Sequence, residues 1–289
     1  MPRSRPVDEF QLAYDRAGSG PGVVLLHGWP GDRHDYRDVA PLLRDVADVI
    51  VPDLRGFGES DKHPLPPAEA YAADAQARGV VGLIDELDLA PVVLAGYDVG
   101  SRVAQAIARA FPDRVRALVL SPPLPGAGDR VLAPEAQREF WYQAFHQLSL
   151  VEEIIDGRTD AVRAYLAHFW NHWSGPSYRP EDAELDRLAG LYGAPGAFTA
   201  SIAWYRAGSG TVATSLRELE GGPPDPIAVS TAVLWPEFDP LFPPGWGDRL
   251  AAFFANVTLT PLPGVGHFVP REAPRELAGA VRAALAASS

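Results

Sequence analysis

The chain lacks several features that would assign it to familiar classes of protein. Its 289 residues include no cysteine, which excludes a disulfide framework, a thiolate nucleophile and a cysteine-based zinc site. Its 25 Lys and Arg residues are outnumbered by 37 Asp and Glu residues. Such an acidic balance offers no attractive surface to phosphate backbones or anionic lipids. We therefore expect neither nucleic acid nor membrane as a partner.

Long apolar runs and targeting signals are also missing. The longest apolar runs, such as residues 23–26 and 92–95, have the length of strands and are far shorter than a membrane span. Arg3 and Arg5 near the start have no apolar segment behind them, unlike a secretory signal. With 47% hydrophobic residues, the chain has the composition of a folded protein. We expect a soluble, cytoplasmic protein of one large domain or two smaller ones.

Short apolar segments alternate with helical patterns over the first part of the chain. Continuous apolar runs indicate strands that are buried on both faces, as in a parallel sheet. The alternation indicates an α/β fold, a mostly parallel sheet flanked by helices. The predicted strands cover residues 23–26, 49–51, 92–95, 117–120, 231–234 and 257–259, and the flanking helices cover residues 68–87, 99–110 and 271–286.

A segment of different character interrupts this alternation. Stretches rich in Pro and Gly begin at Ser121 and at Gly221, and between them only helical periodicity occurs. The sequence therefore predicts an α/β core in two parts, residues 1–123 and 225–289, with an inserted all-helical cap over residues 124–224. The helices predicted in the cap cover residues 134–148, 159–173, 181–192 and 197–206.

The most informative motif is Gly96-Tyr97-Asp98-Val99-Gly100, which lies between a buried strand and a helix. A sharp strand-to-helix turn needs small residues two positions before and after its apex, and it exposes the apex side chain. Serine is the usual apex residue, but here the apex is Asp98, and the chain contains no Gly-x-Ser-x-Gly sequence. Asp98 is therefore a candidate nucleophile, although an aspartate can also cap a helix.

Two further candidates follow the last predicted strands. Asp239 comes after the next-to-last strand, and His267 comes after the last strand in a loop that contains glycine. An α/β-hydrolase core produces the chain order nucleophile, acid, histidine, and it brings all three side chains to the carboxyl edge of the sheet. Asp239 alone is also explained as a turn residue before Pro240. The coincidence of all three favours a catalytic set.

A fourth element, His27-Gly28-Trp29-Pro30-Gly31, directly follows the first buried strand. A backbone N–H in such a loop, together with that of the residue after the apex, can stabilise an oxyanion. We assign these two donors to Trp29 and Val99. The side chain of His27 is expected to hold the loop rather than to move protons.

Together these motifs resemble the α/β-hydrolase-fold epoxide hydrolases, which have an aspartate nucleophile. The resemblance rests on His27-Gly28-Trp29-Pro30, the segment 53–60 (DLRGFGES), the Asp98 turn and Gly266-His267, and it covers nearly the whole chain. The segment 53–60 is common to many members of the fold, whereas the aspartate at position 98 is more specific. The resemblance implies the α/β-hydrolase fold and a reaction that needs neither a cofactor nor a metal.

A carboxylate nucleophile selects the class of substrate. Attack on an ester or amide would give an anhydride, whereas attack on a saturated carbon that bears a leaving group gives an ordinary ester. An epoxide or an alkyl halide is therefore expected as the substrate. His267, oriented by Asp239, would act in the second step as the base for the water that hydrolyses the ester.

The leaving atom distinguishes these two substrates, because a ring-opened alkoxide needs a proton and a halide needs only weak donors. Epoxide hydrolases of this fold protonate the epoxide oxygen with two cap tyrosines, and the resemblance implies these roles for Tyr142 and Tyr205. Either tyrosine can also be read as packing within a helical layer. The predicted function is hydrolysis of a small apolar epoxide by water to a vicinal diol, through an alkyl-enzyme ester on Asp98.

A haloalkane or haloacid dehalogenase with the same nucleophile is the alternative. Haloalkane dehalogenases usually carry Trp directly after the aspartate, and fluoroacetate dehalogenases place Arg one and four residues after it. Here these positions hold Val99 and Arg102, so the chain departs from both patterns. A small-molecule receptor without turnover is a more remote alternative.

The aromatic residues of the predicted cap either line an apolar pocket or form the core of the cap. We assign Trp29, Trp141 and Phe145 to the pocket. His168 and His172 have metal-ligand spacing on a helix, but no third ligand accompanies them, and packing is favoured. The sequence leaves the physiological substrate, the enantiopreference and the oligomeric state open.

Overall fold

In a computed structural model that describes residues 1–222 and 224–287, the chain forms a seven-stranded sheet. The strands are β1 (Tyr14–Gly18), β2 (Gly22–Leu26), β3 (Asp48–Pro52), β4 (Val92–Gly96), β5 (Val115–Leu120), β6 (Thr231–Pro236) and β7 (Val257–Leu262). They lie in the order β1-β3-β2-β4-β5-β6-β7. β1 pairs antiparallel with β3, and the other neighbouring pairs are parallel. The predicted α/β fold is confirmed.

The central strands are buried along their whole length. Every residue of β2, β3 and β4 is buried, because their Val- and Leu-rich runs are covered on both faces. The edge strand β1 escaped prediction from the sequence, since it exposes four of its five residues and has no apolar run. It is held instead by its pairing with β3, in which Tyr14 lies opposite Pro52.

Helices surround the sheet and fill the long connection between β5 and β6. In chain order they are α1 (Pro67–Ala70), α2 (Ala73–Glu86), α3 (Val99–Ala110), α4 (Pro134–Glu139), α5 (Trp141–Phe145), α6 (Leu150–Ile154), α7 (Thr159–Trp173), α8 (Asp182–Tyr192), α9 (Ala197–Arg206), α10 (Thr211–Gly221), α11 (Val269–Glu272) and α12 (Pro274–Ala286). Shorter 3₁₀ segments lie at Arg33–Tyr36, Ala40–Leu42, Pro112–Arg114, Gly128–Leu132 and Pro244–Ala252.

Three predicted helices are each divided in two. The predicted helix 68–87 corresponds to α1 and α2, the predicted helix 134–148 to α4 and α5, and the predicted helix 271–286 to part of α11 and α12. The last break lies at Ala273, which precedes Pro274, and a residue before proline is disfavoured in the helical conformation. The helices α6 and α10 were not predicted.

Residues 124–222, here called the helical insertion, connect β5 to β6 and contain α4 to α10. The loops that follow β2 and β7 meet this insertion. Trp170 of α7 stacks on Phe268 in the loop after β7, with ring centroids 3.8 Å apart. Pro223, in the predicted turn-rich stretch after the insertion, lies outside the described residues, as do Ser288 and Ser289.

No helix in the described ranges combines the length and the apolar character that a membrane crossing requires.

Candidate active site

Asp98 occupies a tight turn between β4 and α3, with φ at 49°, a value that is rare for a residue with a side chain. The flanking glycines are required by close contacts. A Cβ atom at Gly96 would lie 2.5 Å from the carbonyl oxygen of Gly100, and one at Gly100 would lie 2.0 Å from the carbonyl oxygen of Leu26. The Asp98 carboxylate accepts a hydrogen bond from the Trp29 backbone instead of capping α3.

His267 lies between two carboxylates that come from different loops. Its Nδ1 is 2.9 Å from Oδ2 of Asp239, and its Nε2 is 3.5 Å from Oδ2 of Asp98. Asp239 also accepts a hydrogen bond from the backbone N–H of Leu241 at 2.9 Å. All three side chains are buried. The structure thus brings together the three residues that follow β4, β6 and β7, at the carboxyl edge of the sheet.

The two carboxylates determine the protonation of His267. Burial alone would lower the pKa of the imidazole, but the charges and hydrogen bonds of Asp239 and Asp98 outweigh burial and raise the pKa to about 10. His267 therefore holds a proton at neutral pH in the resting site. Because Asp98 supports this proton, loss of its negative charge would lower the pKa again.

The loop after β2 supplies a backbone donor to the same carboxylate. The N–H of Trp29 donates to Oδ1 of Asp98 at 2.6 Å, so the two carboxylate oxygens face different partners. A Cβ atom at Gly28 would lie 2.4 Å from the Cβ of Asp98, which makes glycine necessary for this approach. Val99, the predicted second donor, is the buried first residue of α3. The first N–H groups of a helix have no partner within that helix.

His27 holds this loop through both ring nitrogens. The N–H of Leu54 donates to Nε2 at 3.0 Å, so Nδ1 carries the proton and donates to the carbonyl of Gly28 at 2.9 Å. Burial, only partly opposed by nearby carboxylates such as Asp53, lowers the pKa of His27. A neutral imidazole that links two segments fits the structural role expected of His27.

Tyr142 of α5 and Tyr205 of α9 reach the site from the helical insertion. Their ring centroids are 5.5 Å apart, and they lie 5.7 and 5.9 Å from the ring of Trp29. Burial raises the pKa of both phenols well above the usual value, and the negative charge of Asp98 adds to the effect. Both phenols therefore stay protonated and can donate hydrogen bonds.

Gln143, which was not predicted from the sequence, supports one of these phenols. Its side-chain N–H donates to the hydroxyl oxygen of Tyr142 at 3.1 Å, and its carbonyl oxygen accepts from the N–H of Val212 at 3.1 Å. Because the hydroxyl oxygen of Tyr142 already accepts this hydrogen bond, its O–H group can donate to another acceptor. No sequence pattern marked Gln143, whose role depends on α10.

His146, one helical turn after Tyr142, is a second residue that was missed. Its Nε2 lies 3.0 Å from the hydroxyl of Tyr165, and its ring centroid lies 4.9 Å from that of Tyr205. Burial lowers the pKa of His146 to about 3, so the ring is neutral. The i, i+4 spacing from Tyr142 could have indicated this position.

The three predicted pocket residues occupy different depths. Trp29 lies among the rings of the insertion, 4.9 Å from that of Phe169. Trp141 stacks on the outer side of Phe169 at 6.0 Å and is 41% exposed. Phe145 packs against Trp141 at 5.8 Å. Trp141 and Tyr205 share a cavity of about 360 Å³ between α5 and α10.

Arg102 is held by hydrogen bonding and charge within the protein. Its guanidinium donates to the carbonyl of Leu124 at 3.2 Å and lies 3.9 Å from a carboxylate oxygen of Glu218. His172 is similarly paired with Glu139 at 2.7 Å. Within residues 1–222 and 224–287, no group of three or more His, Asp or Glu side chains is arranged to hold a metal ion.

Known proteins share both the sequence and the fold. Residues 21–153 match the family described as alpha/beta hydrolase fold. The soluble epoxide hydrolase of Corynebacterium sp. (strain C12) is 29% identical over 283 residues, which cover 93% of this chain and 91% of that protein. The fluoroacetate dehalogenase of Burkholderia sp. is 30% identical over 278 residues, which cover 92% and 87%. The epoxide hydrolase of Bacillus megaterium has the same fold, with a TM-score of 0.81 at 20% identity and coverage of 98% and 99%.

The fold and these likenesses define an α/β hydrolase. The chain belongs to the α/β-hydrolase family, and its similarity to epoxide hydrolases, expected from the motifs, is confirmed. The relatives are named for two different reactions, on epoxides and on fluoroacetate. The choice between these substrates depends on the residues of the site.

Proposed function

We propose that this protein is an epoxide hydrolase that forms a vicinal diol through a covalent ester on Asp98. The observation that carries the proposal is the pair of buried phenols, Tyr142 and Tyr205, packed around Trp29, whose N–H binds that carboxylate. Burial and the charge of Asp98 raise the pKa of both phenols. An opening epoxide develops an alkoxide, a strong base, and preorganised O–H donors stabilise this charge and supply a proton. A departing halide needs no proton.

The first step forms the ester. Oδ2 of Asp98 attacks a saturated carbon of the epoxide, the carbon–oxygen bond breaks, and the alkoxide takes a proton from Tyr142 or Tyr205. The negative charge moves from the carboxylate to the phenol. Since Asp98 is now a neutral ester, the pKa of His267 falls, and His267 can transfer its proton to the phenolate, which restores the phenol.

The second step hydrolyses the ester. His267, now neutral and held by Asp239 at Nδ1, takes a proton from water, which adds to the carbonyl carbon of Asp98. Charge then develops on Oδ1, where the N–H of Trp29 donates and where we assign the second donor to Val99. When the intermediate collapses, the bond between the carbonyl carbon and the alkyl oxygen breaks, and His267 gives its proton to the departing alkoxide. The diol is released, and the carboxylic acid left on Asp98 transfers its proton to His267, which restores the carboxylate and the protonated imidazole.

The helical insertion acts as the cap in this proposal, because it supplies both phenols and the rings around Trp29. Aromatic surroundings of this kind favour a small apolar epoxide, and water is the second substrate. The boundaries 124–224 and the cytoplasmic location stay predictions.

Replacement of His267 by Gln tests the proposal, because ester formation does not require the base and ester hydrolysis does. After the H267Q variant is mixed with styrene oxide, its intact mass should increase by the mass of the epoxide, and peptide fragmentation should locate the adduct on Asp98. The matched control is the H267Q variant that also carries Asp98→Ala, which should keep its mass. An unmodified H267Q protein that is nevertheless stabilised by the epoxide would favour the receptor and overturn the proposal.

Dehalogenation is the second candidate, favoured by the 30% identity to a fluoroacetate dehalogenase. Val99 and the engaged Arg102 leave no pair of arginines beside the nucleophile to bind a haloacid carboxylate. Parallel assays of diol from epoxides and halide from fluoroacetate and 1-chlorobutane should therefore show turnover of epoxides. Halide release faster than diol formation would reverse this assignment.

A further inference from the structure

The loop that carries the Trp29 N–H is held from the side of the helical insertion. The carbonyl of Pro30 accepts a hydrogen bond from the indole N–H of Trp170 in α7 at 2.8 Å. The carbonyl of Gly31 accepts one from the hydroxyl of Tyr192 in α8 at 2.5 Å. Two adjacent peptide groups are thus fixed by two different helices.

Asp32 adds a charged contact to the same helix. Arg187 of α8 donates to both carboxylate oxygens of Asp32, at 2.6 and 3.0 Å. Asp32 is buried, and Arg187 also donates to Glu184 at 2.8 Å, which restricts the guanidinium. Bidentate pairs of this type are strong and directional.

The side chain of Trp29 makes a further contact between this loop and the helical insertion. Its ring lies nearly parallel to that of Tyr142, at an angle of 6°, and meets Phe169 edge-on. Each of the four consecutive residues 29–32 therefore contacts the insertion, while the N–H of Trp29 points to Asp98 in the core.

We infer that Trp170, Arg187 and Tyr192 are positioning residues that fix the Trp29 N–H on Oδ1 of Asp98. The insertion then builds part of the oxyanion site in addition to covering it. The inference rests on the proposed function, because Oδ1 becomes the carbonyl oxygen of the ester. One donor at such an oxygen is worth about 10²–10³-fold in rate, and this gain depends on a fixed position.

The two chemical steps depend on this donor in opposite ways. Ester formation moves negative charge away from the Asp98 carboxylate, so a weaker hydrogen bond at Oδ1 does not slow it. Ester hydrolysis returns negative charge to Oδ1, so a weaker hydrogen bond slows it. A purely structural role for the three residues would predict no such separation.

The test compares the Tyr192→Phe and Arg187→Met variants with a matched control, Arg163→Met. Arg163 of α7 pairs with Asp182 and Asp186 of α8, so its loss also weakens the contact between these helices. Rapid quenching with detection of intact mass gives the rates of ester formation and decay. We expect about tenfold slower decay in the first two variants, because a loosened donor loses only part of the roughly 10²–10³-fold that a fixed donor supplies. Ester formation should change less than about twofold, and R163M should alter neither rate.

A spectroscopic measurement tests the position of the donor without turnover. In the H267Q background, the carbonyl stretch of the ester on ¹³C-labelled aspartate should shift to higher wavenumber when Tyr192→Phe or Arg187→Met is added. An unchanged stretch, or equal slowing of both steps, would overturn the inference. Absence of any ester in H267Q itself would instead contradict the proposed function. Hydrogen exchange of the Trp29 amide can also be measured in the resting variants without any ester, and we expect it to be faster than in the unmodified protein.

Discussion

The carboxylate of Asp98 has a different neighbour at each oxygen, the Trp29 N–H at Oδ1 and the His267 ring at Oδ2. In the proposed reaction, this asymmetry separates the oxygen that attacks from the oxygen that becomes the carbonyl oxygen of the ester. It would also couple the charge on Asp98 to the pKa of His267. His267 would then give up its proton after the ester forms and take a proton from water when the ester is hydrolysed.

The two phenols are expected to act in ester formation and not in ester hydrolysis. Tyr142→Phe and Tyr205→Phe should each slow ester formation about tenfold, and the double variant more than about hundredfold, because the remaining phenol can still donate a proton. Rapid quenching of H267Q with each substitution measures this step alone. Tyr178→Phe, which removes a half-buried hydroxyl near Arg271, is the control. Rapid ester formation in the double variant would contradict the assignment.

At the scale of elements, β2, β4 and α3 pack so closely around the turn at Asp98 that its two flanking glycines cannot carry a Cβ atom. The carbonyl oxygen of Leu26 lies only 2.0 Å from the position that a Cβ at Gly100 would take. The order of residues in the motif follows from this contact, because helix and strand must approach through glycine.

Gly100→Ala should lower the free energy of unfolding by about 3 kcal/mol, because a backbone oxygen 2.0 Å from the added Cβ cannot yield without moving a central strand. Gly279→Ala in α12 is the matched control, since a Cβ there meets nothing within 4 Å. It should raise stability by about 0.5–1 kcal/mol through helix propensity. Urea denaturation of both variants measures the difference. Equal stability of the two variants would show that the contact is not tight.

The sequence predicted those elements whose formation depends on local pattern. Short strand-like runs identified β2 to β7, and chain order placed Asp98, Asp239 and His267 at one edge, because parallel strands bring their carboxyl ends together. β1 was missed because it is mostly exposed, has no apolar run and forms through its pairing with β3. The contacts of residues 30–32 with Trp170, Arg187 and Tyr192 were also missed. They join positions more than 130 residues apart, and no local pattern encodes them.

At the scale of the whole molecule, two buried histidines affect stability in opposite directions. The pKa of His267 is raised to about 10, so its contribution to stability is complete below the unfolded value of about 6.5 and is lost as the pH rises through 10. The pKa of His146 is lowered to about 3, so the unfolded chain binds a proton more readily there, and stability falls as the pH decreases from about 6.5 to 3.

Stability should therefore be greatest near neutral pH, and each limb should respond to a different substitution. His267→Gln should flatten the alkaline limb, and His146→Phe should flatten the acid limb, relative to the unmodified protein. Denaturation midpoints measured from pH 4 to pH 10 check both effects. Curves that run parallel to that of the unmodified protein would show that these histidines do not control its pH dependence.

The left-handed backbone conformation at Asp98 also places the stability of the protein in conflict with the proposed role of this residue. Glycine adopts such a conformation without steric cost, whereas other residues there cost about 1–3 kcal/mol. A library of variants sorted only for survival of heating would therefore enrich glycine at position 98. The variants in that library that best survive heating would be those that lack the proposed nucleophile.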